Sequence, residues 1–173
     1  MQHACRFALT LCIACLPLMA AHAFSIGAPA NACTNQQVQN PHMLSSAGNG
    51  GFAISAIRSF YVPGKNTTIT IANTGAATFE GVMLSAFDQS LALAGTWQSA
   101  TGYQLACNSQ TITQTAKTAK STPATFVWTA PAAGSGAVAF NATIVQSLNT
   151  SFRISGAMLV EVDDDLFLSS FED

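Results

Sequence analysis

Gly136-Ala137-Val138-Ala139-Phe140-Asn141-Ala142-Thr143-Ile144-Val145-Gln146 is the stretch that decides the fold. Val138, Phe140, Ala142 and Ile144 fall on one side of an extended chain and Ala139, Asn141 and Thr143 on the other, the period of two expected of a half-buried β-strand. Ser151 to Val162 repeats the rhythm through Phe152, Ile154, Met158 and Val160. Upstream, Gly51 to Arg58 reads as a first strand, Tyr61-Val62-Pro63-Gly64 as a turn, and Asn66 to Ala72 as a strand with Ile69 and Ile71 on one face. Phe79 to Asp88 is apolar on both faces, which marks a central or bent strand. Tyr103 to Cys107, Gln110 to Thr115 and Thr125 to Thr129 complete the series, the last with Phe126 and Trp128 on one face. Helical periodicity is hard to find. The reading is all-β, a two-sheet sandwich in which the Thr/Lys/Ser-rich stretch Thr115 to Pro123 connects the sheets.

The chain has 173 residues, of which 8% are charged and 49% apolar. This excludes a disordered polyelectrolyte and a basic nucleic-acid binder. Arg6, the apolar run Phe7 to Ala20 and Ala21-His22-Ala23 form the three parts of a secretory signal. Residues 1–23 are therefore expected to be cleaved after Ala23, leaving a secreted protein, extracellular or periplasmic, with no transmembrane segment. The apolar run falls short of the roughly 20 residues needed to span a bilayer. Cleavage removes His3 and His22, so a catalytic triad, a multi-His metal site or a Cys/His dyad would rest on His42 alone. No enzyme, cofactor or metal site is expected. Asp163 to Asp165 lacks the alternating ligands and glycine of a calcium loop.

Cleavage also removes Cys5, Cys12 and Cys15, leaving Cys33 and Cys107. In an oxidising compartment that pair reads as one disulfide, and closing a loop of about 75 residues is worth roughly 4.5 kcal/mol through the unfolded chain. A redox pair would favour Cys-x-x-Cys spacing, which is absent. Because Trp97 sits shortly before Cys107, the bond is expected to tie the N-terminal segment to a strand rather than to cross the sandwich centre, as it does in antibody domains.

Phe24-Ser25-Ile26-Gly27-Ala28-Pro29-Ala30-Asn31-Ala32-Cys33 resembles the opening of the Reeler (reelin) domain. The similarity continues through Tyr61-Val62-Pro63-Gly64, Phe79 to Ala86, Gly95-Thr96-Trp97-Gln98, Leu105-Ala106-Cys107, Phe126 to Pro131 and Gly136 to Gln146. It implies an immunoglobulin-like antiparallel β-sandwich over residues 24–160, a disulfide between Cys33 and Cys107, and an extracellular, non-enzymatic module. Relatives occur in reelin and spondins, in ferric-chelate reductase-like membrane proteins and, standing alone, as insect haemolymph defence proteins. The tail Asp163 to Asp173 resembles the short acidic-aromatic tails of some Gram-negative secreted proteins, and with the Ala-rich, Lys-poor composition it suggests a stand-alone, bacterial exported member here. Where the family has Thr-His-Thr, this chain has Thr113-Gln114-Thr115, so no role of that histidine carries over.

Residues 24–160 carry a net charge of +3 and the acidic tail 161–173 a net charge of −6. Arg58, Lys65, Lys117 and Lys120, with Trp97 as a loop aromatic, are the candidate ligand contacts, whereas Trp128 belongs to the core. The expected function is adhesion or binding at a cell-surface or extracellular glycan, lipid or matrix component, through loops at one end of the sandwich. The alternative is a structural module that docks another secreted or surface protein through an edge strand or the tail. Asn66-Thr67-Thr68, Asn141-Ala142-Thr143 and Asn149-Thr150-Ser151 match the glycosylation triplet and are incidental in a bacterial protein.

Overall fold

The computed structural model describes residues 26–28, 32–33, 46–147 and 149–163. The expected leader at 1–23, His42 and the tail beyond Asp163 lie outside the described residues. Among the described residues ten strands follow one another: β1 (Phe52–Ala56), β2 (Phe60–Tyr61), β3 (Asn66–Asn73), β4 (Gly81–Phe87), β5 (Thr96–Trp97), β6 (Tyr103–Ala106), β7 (Thr111–Gln114), β8 (Ala124–Thr129), β9 (Val138–Ser147) and β10 (Thr150–Glu161). One sheet has the order β1-β3-β8-β5 and the other β2-β10-β9-β4-β7-β6. Pairing is antiparallel except where Phe60 and Tyr61 run parallel to Val160 and Glu161. Residues 115–123 do cross between the sheets, since β7 and β8 belong to different ones.

The alternating residues of the two layers meet in one core. Val138, Phe140, Ala142 and Ile144 of β9 face Ile69 and Ile71 of β3 and Phe126 and Trp128 of β8, all buried. The aromatic rings meet edge to face, with Trp128 to Phe140 at 5.0 Å, Tyr103 to Phe126 at 4.8 Å and Trp97 to Phe140 at 5.9 Å. Such pairs add about 0.5–1.5 kcal/mol each beyond the area they bury. Both indole N–H groups are satisfied, Trp128 Nε1 donating to Ala94 O and Trp97 Nε1 to Gln110 O.

Three features depart from the sequence reading. Tyr61 is not a turn residue but the second residue of β2, with its ring against Trp128. Trp97, expected as an exposed loop aromatic, is 3% exposed, because β5 pairs with β8 and turns the indole into the core. On β10, a register shift between Ser155 and Met158 reverses the faces of the strand's last third. Leu159 points inward and is buried, while Met158 and Val160, expected inside, are exposed.

Strand β4 is buried along its whole length, as its two-sided apolarity predicts. Its inner face joins the core. Its outer face is covered by the N-terminal segment: Met83 and Phe87 pack with Ala28, Ala32, Leu93 and Cys107. Ala28 N donates to Thr113 Oγ1, and Gln104 Nε2 donates to Ile26 O. The segment is fixed by a disulfide from Cys33 to Cys107, which lies in the turn after β6 rather than in a strand. Gln114, at the position of the family's histidine, accepts Val82 N–H and Thr113 Oγ1–H with its side-chain carbonyl and so satisfies a buried donor at the start of β4.

Candidate functional site

Strand directions bring four connections to one pole of the sandwich: residues 62–65, 88–95, 107–110 and 130–137. Each is tied to the next. Gly64 N donates to Pro131 O, and Gln89 lies beside Gly136. Gln110 Nε2 donates to Leu93 O, and Trp97 N donates to Ser109 O. The result is a continuous rim supported by strand ends, the usual placement of recognition surfaces on sandwich folds.

The 88–95 loop is organised by Asp88, whose Oδ1 accepts Ser90 Oγ–H at 2.7 Å, Ser90 N–H at 2.8 Å and Ala92 N–H at 3.0 Å. The Ser90 hydroxyl leads in holding its carboxyl below the ordinary aspartate range; burial works against it, and the Ala92 and Ser90 backbone N–H groups add to the lowering. This fold of the loop places Leu91 at its tip with φ of 64° and its side chain 63% exposed. A leucine in the left-handed region costs about 1–2 kcal/mol, and an exposed leucine recovers little of that by packing.

Cys107, Asn108 and Ser109 form a left-handed turn with φ of 55°, 55° and 66°. No glycine is used. The disulfide at Cys107, Gln110 N–H to Cys107 O and Trp97 N–H to Ser109 O hold the turn from three sides. Backbone strain persists only where its surroundings over-determine it, and it concentrates at functional sites.

The 130–137 loop is held by Glu161, at the end of β10. Its carboxylate accepts Gly134 N–H and Gly136 N–H, each at 2.7 Å. The Tyr61 hydroxyl lies 2.6 Å from Gly136 O and 3.2 Å from Glu161 Oε2 and shares its one hydrogen between them. The two backbone donors lead in holding the Glu161 carboxyl below the ordinary range. Burial, and then the neighbouring Glu161 charge, push the Tyr61 phenol up to about 12. Around its edge the rim thus offers Leu91 with the amide and hydroxyl groups of Gln89, Ser90 and Asn108, and Lys65 in the 62–65 turn.

The five residues expected to contact a ligand do not converge. Lys65 is at the rim, but Lys117 and Lys120 lie in the crossover at the opposite pole. The register from Asn66↔Thr129 to Ile71↔Ala124 spans five residue steps, roughly 17 Å of strand. Lys120 Nζ donates to the carbonyls of Ala116, Thr118 and Glu80 and sits over the Tyr103 ring. Burial lowers its pKa while the Glu80 charge works against that shift. Lys117 Nζ stands 3.6 Å from Glu80 Oε2. Arg58 lies over the Phe60 ring at the β1–β2 edge, and Trp97 is in the core. The sequence reading missed Leu91, Asn108, Tyr61 and Glu161. For the loop itself Asp88-Gln89-Ser90 was a usable signal, because an aspartate two residues before a serine closes such turns.

The fold has clear relatives among solved structures. The human F-spondin reeler domain superposes with a TM-score of 0.60 at 24% identity, covering 71% of this chain and 96% of that one. The Reelin-N domain of F-spondin gives 0.59 at 25% identity, covering 70% and 93%. No curated protein matches the chain. The profile of the Reeler domain, an extracellular and non-enzymatic domain type, matches residues 31–165. Match, disulfide and sandwich agree, and the chain belongs to the Reeler domain family.

Proposed function

We propose that the protein is an exported binding module that recognises a cell-surface or extracellular glycan, lipid or matrix component through the loop rim, after removal of residues 1–23. Leu91 carries this reading: an apolar side chain held out to solvent on a left-handed backbone costs folding energy that binding can recover. Family membership supports an extracellular setting, and the disulfide suits an oxidising one. Strands serve as the rigid scaffold and the rim as the contact surface. With the cations dispersed over both poles, the rim's amides, hydroxyls and Leu91 are the recognition groups, and charge plays a minor part.

The test is retention of residues 24–173 on glycan, lipopolysaccharide, heparin and lipid supports at two salt concentrations, beside Leu91→Asp and Asn108→Ala. Retention that persists in salt and falls at least about tenfold in Leu91→Asp is the expected result, since a buried apolar anchor is worth 1.4 kcal/mol or more. No retention on any support, or retention indifferent to Leu91, overturns the reading.

A further inference from the structure

The register shift in β10 leaves an apolar patch on the outer face of the six-stranded sheet. Val160 is 47% and Met158 63% exposed, Phe60 pairs with Val160 across the parallel ladder, and Ala139 pairs with Met158. Arg58 lies over Phe60, and Arg153 is exposed further down the same face of β10, opposite Thr143. The patch adjoins the point where β10 ends, at Glu161.

We propose that this face is the docking site of the chain's own C-terminal segment, Asp164-Asp165-Leu166-Phe167-Leu168-Ser169-Ser170-Phe171-Glu172-Asp173. Three observations commit the patch to that occupant. The segment starts three residues past β10, so its local concentration at the patch is high, of millimolar order for a short tether. Its length fits: from Val160 back to Arg153 is seven residues, roughly 23 Å, and ten extended residues reach about 33 Å, enough to turn and run down the strand. Its chemistry is complementary. Leu166, Phe167 and Leu168 match Phe60, Met158 and Val160, while Glu172 and Asp173 would arrive on the side of Arg153. The docked segment removes apolar surface from water and holds its carboxylates beside the two arginines. The patch borders the rim at Glu161 but lies on the outer face of the sheet, and it does not depend on the rim's function.

Limited chymotrypsin digestion of residues 24–173, followed by intact mass, reads the contact, because Phe167 and Phe171 are cleavable only when the segment is released. The test variants are Met158→Ser with Val160→Thr, which lie on the exposed face, and Arg153→Glu separately. Unchanged tryptophan fluorescence from Trp97 and Trp128 confirms that the core is intact. The expected result is slow cleavage in the unmodified chain, at least about tenfold faster in the double variant and faster in Arg153→Glu. Equal cleavage rates in all chains overturn the proposal. So does protection that rises with protein concentration alongside sedimentation as a dimer, which would assign the patch to a second copy.

Discussion

Gly156→Ala tests how closely the two sheets approach at their edge. Gly156 sits in the irregular stretch of β10 between Ser155 and Met158, against β1. A methyl group there would lie 2.4 Å from Ile54 Cβ, 2.7 Å from Ile54 O and 3.0 Å from Ile54 Cα. Ordinary carbon contacts fall at about 3.5–4.0 Å, so the strands must part by more than about 1 Å. Neither yields easily: Ile54 is paired with Ile71, and β10 is held along β9. Overpacking against fixed backbone costs about 1–3 kcal/mol, here the upper part of that range. The lost unfolded-state freedom of glycine returns about 0.5–1 kcal/mol. The net is about 2 kcal/mol, or about 4–8 °C in Tm for a domain of this size. Urea and thermal unfolding followed by tryptophan fluorescence measure it. Gly64→Ala is the control, with φ of 71° but nothing within 4 Å, so that only backbone strain of about 1 kcal/mol enters. A Gly156→Ala protein as stable as the parent, or a larger loss in Gly64→Ala, would show that β1 and β10 are not in this close contact.

Replacing Cys33 and Cys107 by serine should remove about 4.5 kcal/mol by the loop-entropy relation, seen as a lower urea midpoint. An unchanged midpoint would show that the unfolded chain gains little freedom. Glu161, with its carboxyl pKa depressed, contributes stability that is complete above the unfolded carboxylate value near 4.3 and lost as pH falls through the lower folded value. Glu161→Gln should therefore flatten the acid limb of a stability-versus-pH curve below about pH 4.5, and an unaltered limb would count against the clasp. Trp97→Ala should cost about 3–5 kcal/mol as a core truncation. A loss under about 1 kcal/mol, the range of surface positions, would contradict its burial.

What was legible in the chain was its long-range periodicity. β9 declared its inner face through Val138, Phe140, Ala142 and Ile144, and β4 announced two-sided burial, although nothing in its residues said that Ala28 and Ala32 would supply the outer cover. Two-residue strands have no period to read. Tyr61 is fixed by Glu161, a hundred positions away, and Trp97 by Trp128 of β8, so β2, β5 and the burial of Trp97 depended on pairings that local patterns do not encode. The bulge in β10 changed which residues of an alternating run face inward, and only Gly156 hinted at it. The rim was the least legible part. Asn108 tolerates the left-handed conformation, but its neighbours Cys107 and Ser109, and Leu91, ordinarily avoid it, so tertiary contacts override local preference there. The dispersed lysines show the same limit from another direction, since composition gives charge but not distance.

The complete burial of β4 between β9 and β7 gives the molecule an internal clock. With both faces and both edges covered, the backbone amides of Val82 to Ala86 meet solvent only when the whole sandwich opens. Deuterium uptake at these positions therefore reports the global free energy of unfolding. Residues 115–119 of the crossover, exposed at the surface, exchange through local opening. One exchange experiment on each variant then separates substitutions that weaken the entire fold from those that loosen a single connection.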